Sequence, residues 1–163
     1  MLVTIMVDAS WCPDTKAAGY GAWLASERRR CRFTGQIQST VSQAMVAEEM
    51  AIVNAIAGAL KRGVALAGDT ILVRTDCQAA IQLLQKYRKP SAKEEDEIVS
   101  AFDYFVKKYG LQMRFKHIKG HSSNQNRASV SNTVCDRHAR EQMQKARAII
   151  KLQQVKEKTG FTS

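Results

Sequence analysis

The sequence predicts a mixed α/β domain with a central five-stranded sheet flanked by helices. Apolar segments of strand length are separated by longer segments in which apolar residues recur at helical spacing. Three strand segments come first, which favours antiparallel pairing, and strands then alternate with helices, which favours parallel crossovers. With 163 residues, of which 45% are hydrophobic, the chain has ample length for one packed core.

The first three strands are predicted over residues 3–10, 19–25 and 31–37. The first of them is apolar on both faces up to Asp8, which lies near its end, and this pattern is typical of a strand in the middle of a sheet. The two glycines of the second strand favour a bend or the close approach of another backbone. Asp8 is therefore a candidate site residue, delivered to the edge of the sheet by a rigid element.

A long helix is predicted over residues 42–61, with Ser42 as its N-cap. Two adjacent glutamates, Glu48 and Glu49, lie inside it, and each shares a helical stripe with apolar residues. Periodicity therefore leaves open which of the two points inward. A buried carboxylate is costly unless it is paired or hydrogen-bonded, so at least one of them is a candidate site residue.

The fourth strand, predicted over residues 70–76, also ends in an aspartate, Asp76, and a helix over residues 77–84 follows it directly. The carboxyl ends of parallel strands share one edge of a sheet, so Asp8 and Asp76 are expected to converge there. A further helix is predicted over residues 92–109, acidic at its beginning and basic at its end, as the helix dipole favours.

The fifth strand is predicted over residues 111–118, and it leads into a polar loop that contains His121. The last helix is expected to begin at Ser131 or Asn132, with Asp136 in its first turn. Its far end is strongly basic: five basic residues and one acidic residue after position 144 give a net charge of +4. This end is either a solvated helix terminus or an additional nucleic-acid-binding element.

Charge and cysteine content exclude several classes of protein. The formal net charge of +10 predicts attraction to a polyanion, with nucleic acid as the first candidate and a membrane surface as the second. No apolar run reaches the roughly 18 residues of a membrane span, and the first residues lack the basic flank of a signal peptide, so we expect a soluble, cytoplasmic protein. The four cysteines form no C-x-x-C pair, which argues against zinc and disulfide frameworks.

Five short segments place acidic and polar residues in a recognisable order along these elements. The segments are Asp8-Ala9-Ser10, Glu48-Glu49-Met50-Ala51-Ile52, Thr75-Asp76-Cys77-Gln78, Lys119-Gly120-His121 and Asn132-Thr133-Val134-Cys135-Asp136-Arg137-His138-Ala139. In this order they resemble the type I ribonuclease H family, whose pattern is D-G-S, E-x-x-A-I, T-D-S-Q, K-G-H and N-x-x-x-D-x-x-A. The resemblance covers residues 3 to about 142 and implies a ribonuclease H-like fold; its register selects Glu48 over Glu49.

The resemblance implies an endoribonuclease that cleaves the RNA strand of RNA/DNA hybrids and leaves 3′-hydroxyl and 5′-phosphate ends. Two Mg²⁺ ions, for which Mn²⁺ can substitute, would act on the phosphodiester. By analogy with the family, Asp8 would bridge both ions, Asp136 would help to hold the ion with the attacking water, and Glu48 with Asp76 would hold the other. His121 would move protons or ease product release.

The same resemblance implies that Ser10, Gln78 and Asn132 contact the substrate. Family members usually carry Asn or Gln before the glutamate of the first helix, where this chain has the apolar residues 44–47. Gln43 or backbone groups are therefore expected to take over those minor-groove contacts. The expected organisation is a catalytic domain over residues 1–142 and a basic helical extension over residues 143–163, in a monomer that binds the hybrid and no membrane.

Two alternatives remain open at this point. A non-catalytic module that binds hybrids or structured RNA would not need to gather four carboxylates, which repel one another without metal. Another nuclease of the ribonuclease H superfamily, such as a proofreading-type exonuclease, would open with Asp-x-Glu, where this chain has Ser10.

Overall fold

The computed structural model describes residues 1–119 and 127–159, and for residues 127–134 and 159 it describes the backbone alone. Five strands form one mixed sheet in the order β3-β2-β1-β4-β5, as the sequence predicts. The first three pair antiparallel, whereas β1 pairs with β4 and β4 with β5 in parallel. The strands are β1 (Leu2–Trp11), β2 (Ala18–Ala25), β3 (Arg30–Gln36), β4 (Thr70–Thr75) and β5 (Gln112–His117).

Four helices cover the two faces of this sheet. Three of them pack on one face, where they bury the core side chains of β1, β2 and β4. The fourth packs on the opposite face over β1, β2 and β3. The helices are α1 (Ala44–Lys61), α2 (Gln78–Leu84), α3 (Glu95–Tyr109) and α4 (Arg127–Thr159). Within the described part of the chain, none is both long and apolar enough to cross a bilayer.

Strand alternation separates the two layers of the core. Val3, Ile5 and Val7 of β1 are fully buried against the first three helices, because every second side chain of a strand points to the same face. Met6 points to the other face, where its carbonyl lies 3.8 Å from the Cys135 thiol of α4. Burial on both faces explains why β1 is apolar nearly throughout.

The two glycines of β2 allow α4 to lie directly on the sheet. A Cβ atom added to Gly21 would stand 2.6 Å from the Cys135 carbonyl oxygen, and one added to Gly19 would overlap the backbone at Met143. Only glycine permits this approach of two backbones, so the predicted close approach is confirmed.

The start of α1 differs from the prediction. The helix begins at Ala44, its N-cap is Gln43, and no side chain caps it. Ser42 instead donates hydrogen bonds to Glu94 from its hydroxyl (2.8 Å) and from its backbone N–H (3.0 Å), so it fastens the start of α1 to the start of α3. The sequence alone contained no sign of this contact, because a serine before a helix is also the commonest capping residue.

The last helix begins earlier than predicted. It begins at Arg127, which places Ser131, Asn132 and Asp136 inside the helix and not at its start. The prediction of an N-cap at Ser131 or Asn132 is therefore wrong. The polar residues before Asp136 favour a loop on composition, but they belong to a 33-residue helix, and such a local preference is only a weak guide to structure. His121 lies outside the described residues.

We predict that Gly21→Ala destabilises the protein, because the new methyl group would overlap the backbone of α4. The expected loss is about 1–3 kcal/mol of unfolding free energy, measured by urea denaturation. Gly68→Ala is the matched control: nothing lies within 4 Å of a Cβ there, and the positive φ of 83° adds only backbone strain of roughly 1–2 kcal/mol. The backbone amides of α4 should exchange their hydrogens faster in Gly21→Ala than in the unmodified protein, because the helix is displaced. Unchanged or slower exchange would contradict the prediction.

Candidate active site

Three carboxylates from three separate elements meet at one edge of the sheet. Asp8 ends the apolar part of β1, Glu48 lies in the second turn of α1, and Asp76 follows β4 directly. One oxygen of each lies within 4.8 Å of the others. Asp8 is buried, with 5% of its surface exposed, and the other two are half-buried. The structure thus brings together three of the four predicted metal ligands.

The pairing of β1 with β4 explains why the two aspartates are level. The parallel register sets Met6 beside Arg74, so Asp8 and Asp76, two residues further on each strand, reach the same height. Glu48 is then fastened to β1, because the backbone N–H of Ala9 donates a hydrogen bond of 3.2 Å to its Oε1. The expectation that the strand ends converge is therefore confirmed.

The fourth predicted ligand, Asp136, approaches Asp8 from α4. In the β1–β2 ladder Asp8 stands opposite Gly21, and Gly21 is the residue that contacts the backbone of Cys135. Asp136 is thereby placed close enough to interact with the Asp8 carboxylate, although it stands outside the cluster of three. Arg140, one turn along α4, pairs with Asp136 at 3.1 Å.

The electrostatics of the cluster favour a bound cation. Burial raises the pKa of Asp8 to about 7, and the charge of Asp76 contributes to the rise. Burial and the charge of Asp8 likewise raise the pKa of Glu48 well above its ordinary value. The Oε2 atom of Glu48 is buried and accepts no hydrogen bond in the part of the chain that the structure describes. Hard carboxylate oxygens with one such unpartnered atom fit a divalent ion such as Mg²⁺.

The residues predicted to contact the substrate differ in their exposure. Ser10 lies half-buried on β1 beside the cluster, and Gln78 is exposed as the first residue of α2. Asn132 lies in α4, but its side chain is among those not described. Gln43 is exposed at the start of α1, as its expected contact role requires, whereas Val46 and Ala47 are buried in the core and cannot contact a substrate.

A second acidic group, which sequence reasoning missed, lies behind the first. Glu49 and Glu95 are both fully buried and share the guanidinium of Arg88. The Arg88 nitrogens lie 2.7 Å from Glu49 Oε1 and 2.9 and 3.0 Å from the two oxygens of Glu95. Arg88 also donates to the Ala79 carbonyl of α2 at 3.1 Å. One side chain therefore joins α1, α2 and α3.

The two buried glutamates differ in their protonation state. Burial and the charge of Glu95 raise the pKa of Glu49 to about 8, so it is protonated at neutral pH. Burial also acts to raise the pKa of Glu95, but hydrogen bonds from Arg88 and from the Ser91 N–H outweigh it and lower that pKa overall. Glu95 therefore ion-pairs with Arg88 from a position in the first turn of α3, where the helix dipole also favours negative charge. Arg88 gave no sequence signal, because it stands in a basic run that is typical of an exposed surface.

Fold and site together define a class: ribonuclease H-like domains with an acidic pocket at the ends of two adjacent parallel strands. The family model for RNase H matches residues 2–144, and the chain belongs to that family of ribonucleases. The resemblance found in the sequence is thereby confirmed. No curated protein matches the sequence.

Several solved structures share the fold at low sequence identity. The RNase H1 domain LC11, solved in complex with an RNA/DNA hybrid, is 18% identical with a TM-score of 0.70, over 88% of this chain and 98% of that one. The N-terminal RNase H domain of Rv2228c from Mycobacterium tuberculosis is 17% identical with a TM-score of 0.69, over 90% and 96%. RNase H1 from the archaeon Halobacterium salinarum is 17% identical with a TM-score of 0.69, over 90% and 100%.

We predict that Asp8→Asn stabilises the metal-free protein at neutral pH and not in acid. Below about pH 4 both the folded and the unfolded chain hold the Asp8 proton, so the group has no effect. Between about pH 4 and 7 the unfolded chain ionises while the folded protein, with its raised pKa, does not, and stability is lost as the pH rises. The variant removes this loss, on the order of 2–4 kcal/mol by pH 8.

Urea unfolding in EDTA at pH 4, 6 and 8 measures this difference. Asp96→Asn, at an exposed position in the first turn of α3, is the control and should lose a little stability at every pH above 4, because it removes a favourable charge from a helix start. A gap between Asp8→Asn and the unmodified protein that stays constant from pH 4 to 8 would show that the Asp8 carboxyl is not perturbed.

We predict that Arg88→Met costs about 3–5 kcal/mol of unfolding free energy, because it leaves the buried Glu95 charge without a partner. The double variant Arg88→Met/Glu95→Gln should recover much of the loss, since no buried charge then remains at that position. Lys86→Met is the matched control: its ion pair with Asp103 is half exposed, so its removal should cost less than about 1 kcal/mol. Equal losses for the two methionine variants in urea unfolding would refute the role of Arg88.

Proposed function

We propose that the protein is an endoribonuclease that cleaves the RNA strand of RNA/DNA hybrids and leaves 3′-hydroxyl and 5′-phosphate ends. The observation that carries the proposal is the cluster of Asp8, Glu48 and Asp76 oxygens within 4.8 Å in a chain of the RNase H family. Clustered carboxylates at the edge of a basic protein are the arrangement that metal-assisted cleavage of a phosphodiester requires. The LC11 relative, solved with an RNA/DNA hybrid, supports the choice of substrate.

Two Mg²⁺ ions would be held by Asp8, Glu48, Asp76 and Asp136, and Mn²⁺ could replace them. When bound, such ions lower the pKa of water and neutralise charge that builds on the phosphate. The protein's own groups prepare the site: the Ala9 N–H orients Glu48, and the register of β1 with β4 sets the height of both strand aspartates. Arg140 pairs with the carboxylate of Asp136, which would join the metal ligands from α4.

The remaining predicted groups complete the proposal. Ser10 and Gln78 flank the carboxylates and would contact the hybrid, together with Asn132, and exposed Gln43 would take the place of the missing family contact in α1. His121 would move a proton or assist product release. We further propose that residues 1–142 form the catalytic domain, that residues 143–163 form its basic extension, and that the protein acts as a cytoplasmic monomer.

We predict that Asp76→Asn lowers the cleavage rate at least about a hundredfold, because it removes a metal ligand and leaves the fold intact. The measurement compares matched RNA/DNA, RNA/RNA and DNA/DNA duplexes in Mg²⁺ and then in EDTA, with Asp96→Asn as the control for the same chemical change at an exposed position. Only the RNA strand of the hybrid should be cut, and only with metal present. Cleavage that survives EDTA, or full activity of Asp76→Asn, would end the proposal.

A second readout separates binding of the metal from turnover. Mg²⁺ should raise the melting temperature of the unmodified protein and of Asp96→Asn, because it binds only the folded state. Mg²⁺ should raise the melting temperature of Asp76→Asn much less. A non-catalytic hybrid-binding module would bind the hybrid without cutting it and would show no such dependence on Asp76.

A further inference from the structure

Within residues 1–119 and 127–159, the face of the sheet that carries α4 is open at β4 and β5. The long helix packs over β1, β2 and β3, whereas β4 and β5 lie beyond it at one edge of the sheet. Alternate side chains of β4 point to the buried helix layer, as Ile71 and Val73 do, so Leu72 and Arg74 point to the open face. On β5 the same alternation sends Phe115 to the core and leaves Arg114 and Lys116 exposed.

Three cations therefore share one open surface, which we call the β4–β5 basic face and define by Arg74, Arg114 and Lys116. Arg74 and Lys116 are register partners on adjacent strands, and like charges directly opposite one another destabilise a sheet. Among the described residues no carboxylate forms an ion pair with any of the three. The Nε of Arg74 is buried and has no hydrogen-bond acceptor in that part of the chain. Nothing in the described part of the chain therefore compensates this repulsion.

The β4–β5 basic face runs directly away from the carboxylate cluster. Arg74 is the second-to-last residue of β4 and Asp76 follows the strand directly, so the two are separated by two residues, or about 7 Å of extended chain. Arg114 is the register partner of Leu72, so it lies about 7 Å further from the cluster. A nucleic acid strand that enters the site can therefore continue over this face, with several phosphates in reach of the cations.

We propose that the β4–β5 basic face binds the phosphate backbone of the hybrid beyond the cleavage point. The partner is a nucleic acid because the cations are spread along two strands, as a polymer with one phosphate per nucleotide requires, and not gathered around a single anion. This inference rests on the proposed function for the identity of the duplex. The β4–β5 basic face is a contact surface outside the carboxylate site. It attracts the phosphate backbone, which the carboxylates repel.

The test compares Arg114→Gln/Lys116→Gln with Lys61→Gln/Lys107→Gln. The second pair removes two exposed lysines from the last turns of α1 and α3, which cover the other face of the sheet. Binding of a labelled RNA/DNA hybrid is measured over a series of salt concentrations, with Asp76→Asn added to both variants so that the hybrid stays intact. The first pair should weaken binding about tenfold near 150 mM salt and reduce the slope of log K against log salt by about 1–2.

Cleavage kinetics of the two double variants, measured without Asp76→Asn, distinguish the loss of a binding contact from damage to the fold. Arg114→Gln/Lys116→Gln should raise KM about tenfold, leave kcat within about twofold, and leave the melting temperature unchanged or higher, because a binding contact acts on affinity and its removal relieves repulsion. Equal hybrid binding by the two pairs, or a fall in kcat together with the melting temperature, would overturn the proposal.

Two further arms decide the class of partner. If binding of polyglutamate, or of vesicles containing phosphatidylserine, falls as much as binding of the hybrid, the face is a general anion surface and the proposal is wrong. If the unmodified protein does not cut the hybrid but the two pairs still differ in hybrid binding, the proposed function fails while the face retains its role in nucleic acid binding.

Discussion

Mutual repulsion between buried carboxylates is the constraint that the rest of this structure has to satisfy. Asp8, Glu48 and Asp76 lie within 4.8 Å of one another, and burial together with their own charges raises the pKa of the first two. Such groups stay together only if rigid elements hold them. Three contacts hold these elements in place: the β1–β4 register, the hydrogen bond from Ala9 and the contact of α4 with Gly21. The free energy of the whole fold therefore offsets the repulsion within the cluster.

The adjacent glutamates of α1 show how the protein distinguishes a structural carboxylate from a functional one. Both point inward, but Glu49 faces Arg88 and Glu95, where a cation and a proton neutralise the buried charge. Glu48 faces two aspartates and retains a buried oxygen without a partner among the described residues. The compensated pair joins α1 to α3, whereas the uncompensated cluster has the hard oxygen atoms that suit a divalent cation.

Strand positions, the fold class and the convergence of the two strand aspartates could be predicted from the sequence, because they follow from alternation and chain direction. Glu48 could be selected over Glu49 only by family resemblance, since each of the two shares a helical stripe with apolar residues. Ser42 and Arg88 could not be assigned, because their partners Glu94 and Glu95 are distant in sequence and each has a simpler local interpretation. The start of α4 could not be predicted because its residues have a polar, loop-like composition, and local composition is a weak guide to where a long helix begins.

An acidic site that acts on a polyanion needs attraction from elsewhere. A phosphate that approaches Asp8, Glu48 and Asp76 meets negative charge, and bound cations can at most neutralise it locally. Affinity must therefore come from basic groups outside the site, and the net charge of +10 provides them. Their placement matters more than their number: a cation beside a carboxylate, such as Arg140 beside Asp136, would compete with a metal ion there, whereas cations on neighbouring strands would attract the backbone and leave the carboxylates free. The carboxylates repel the phosphate backbone, and basic residues on the neighbouring strands β4 and β5 attract it. The protein can therefore bind a polyanion without placing cations among the carboxylates.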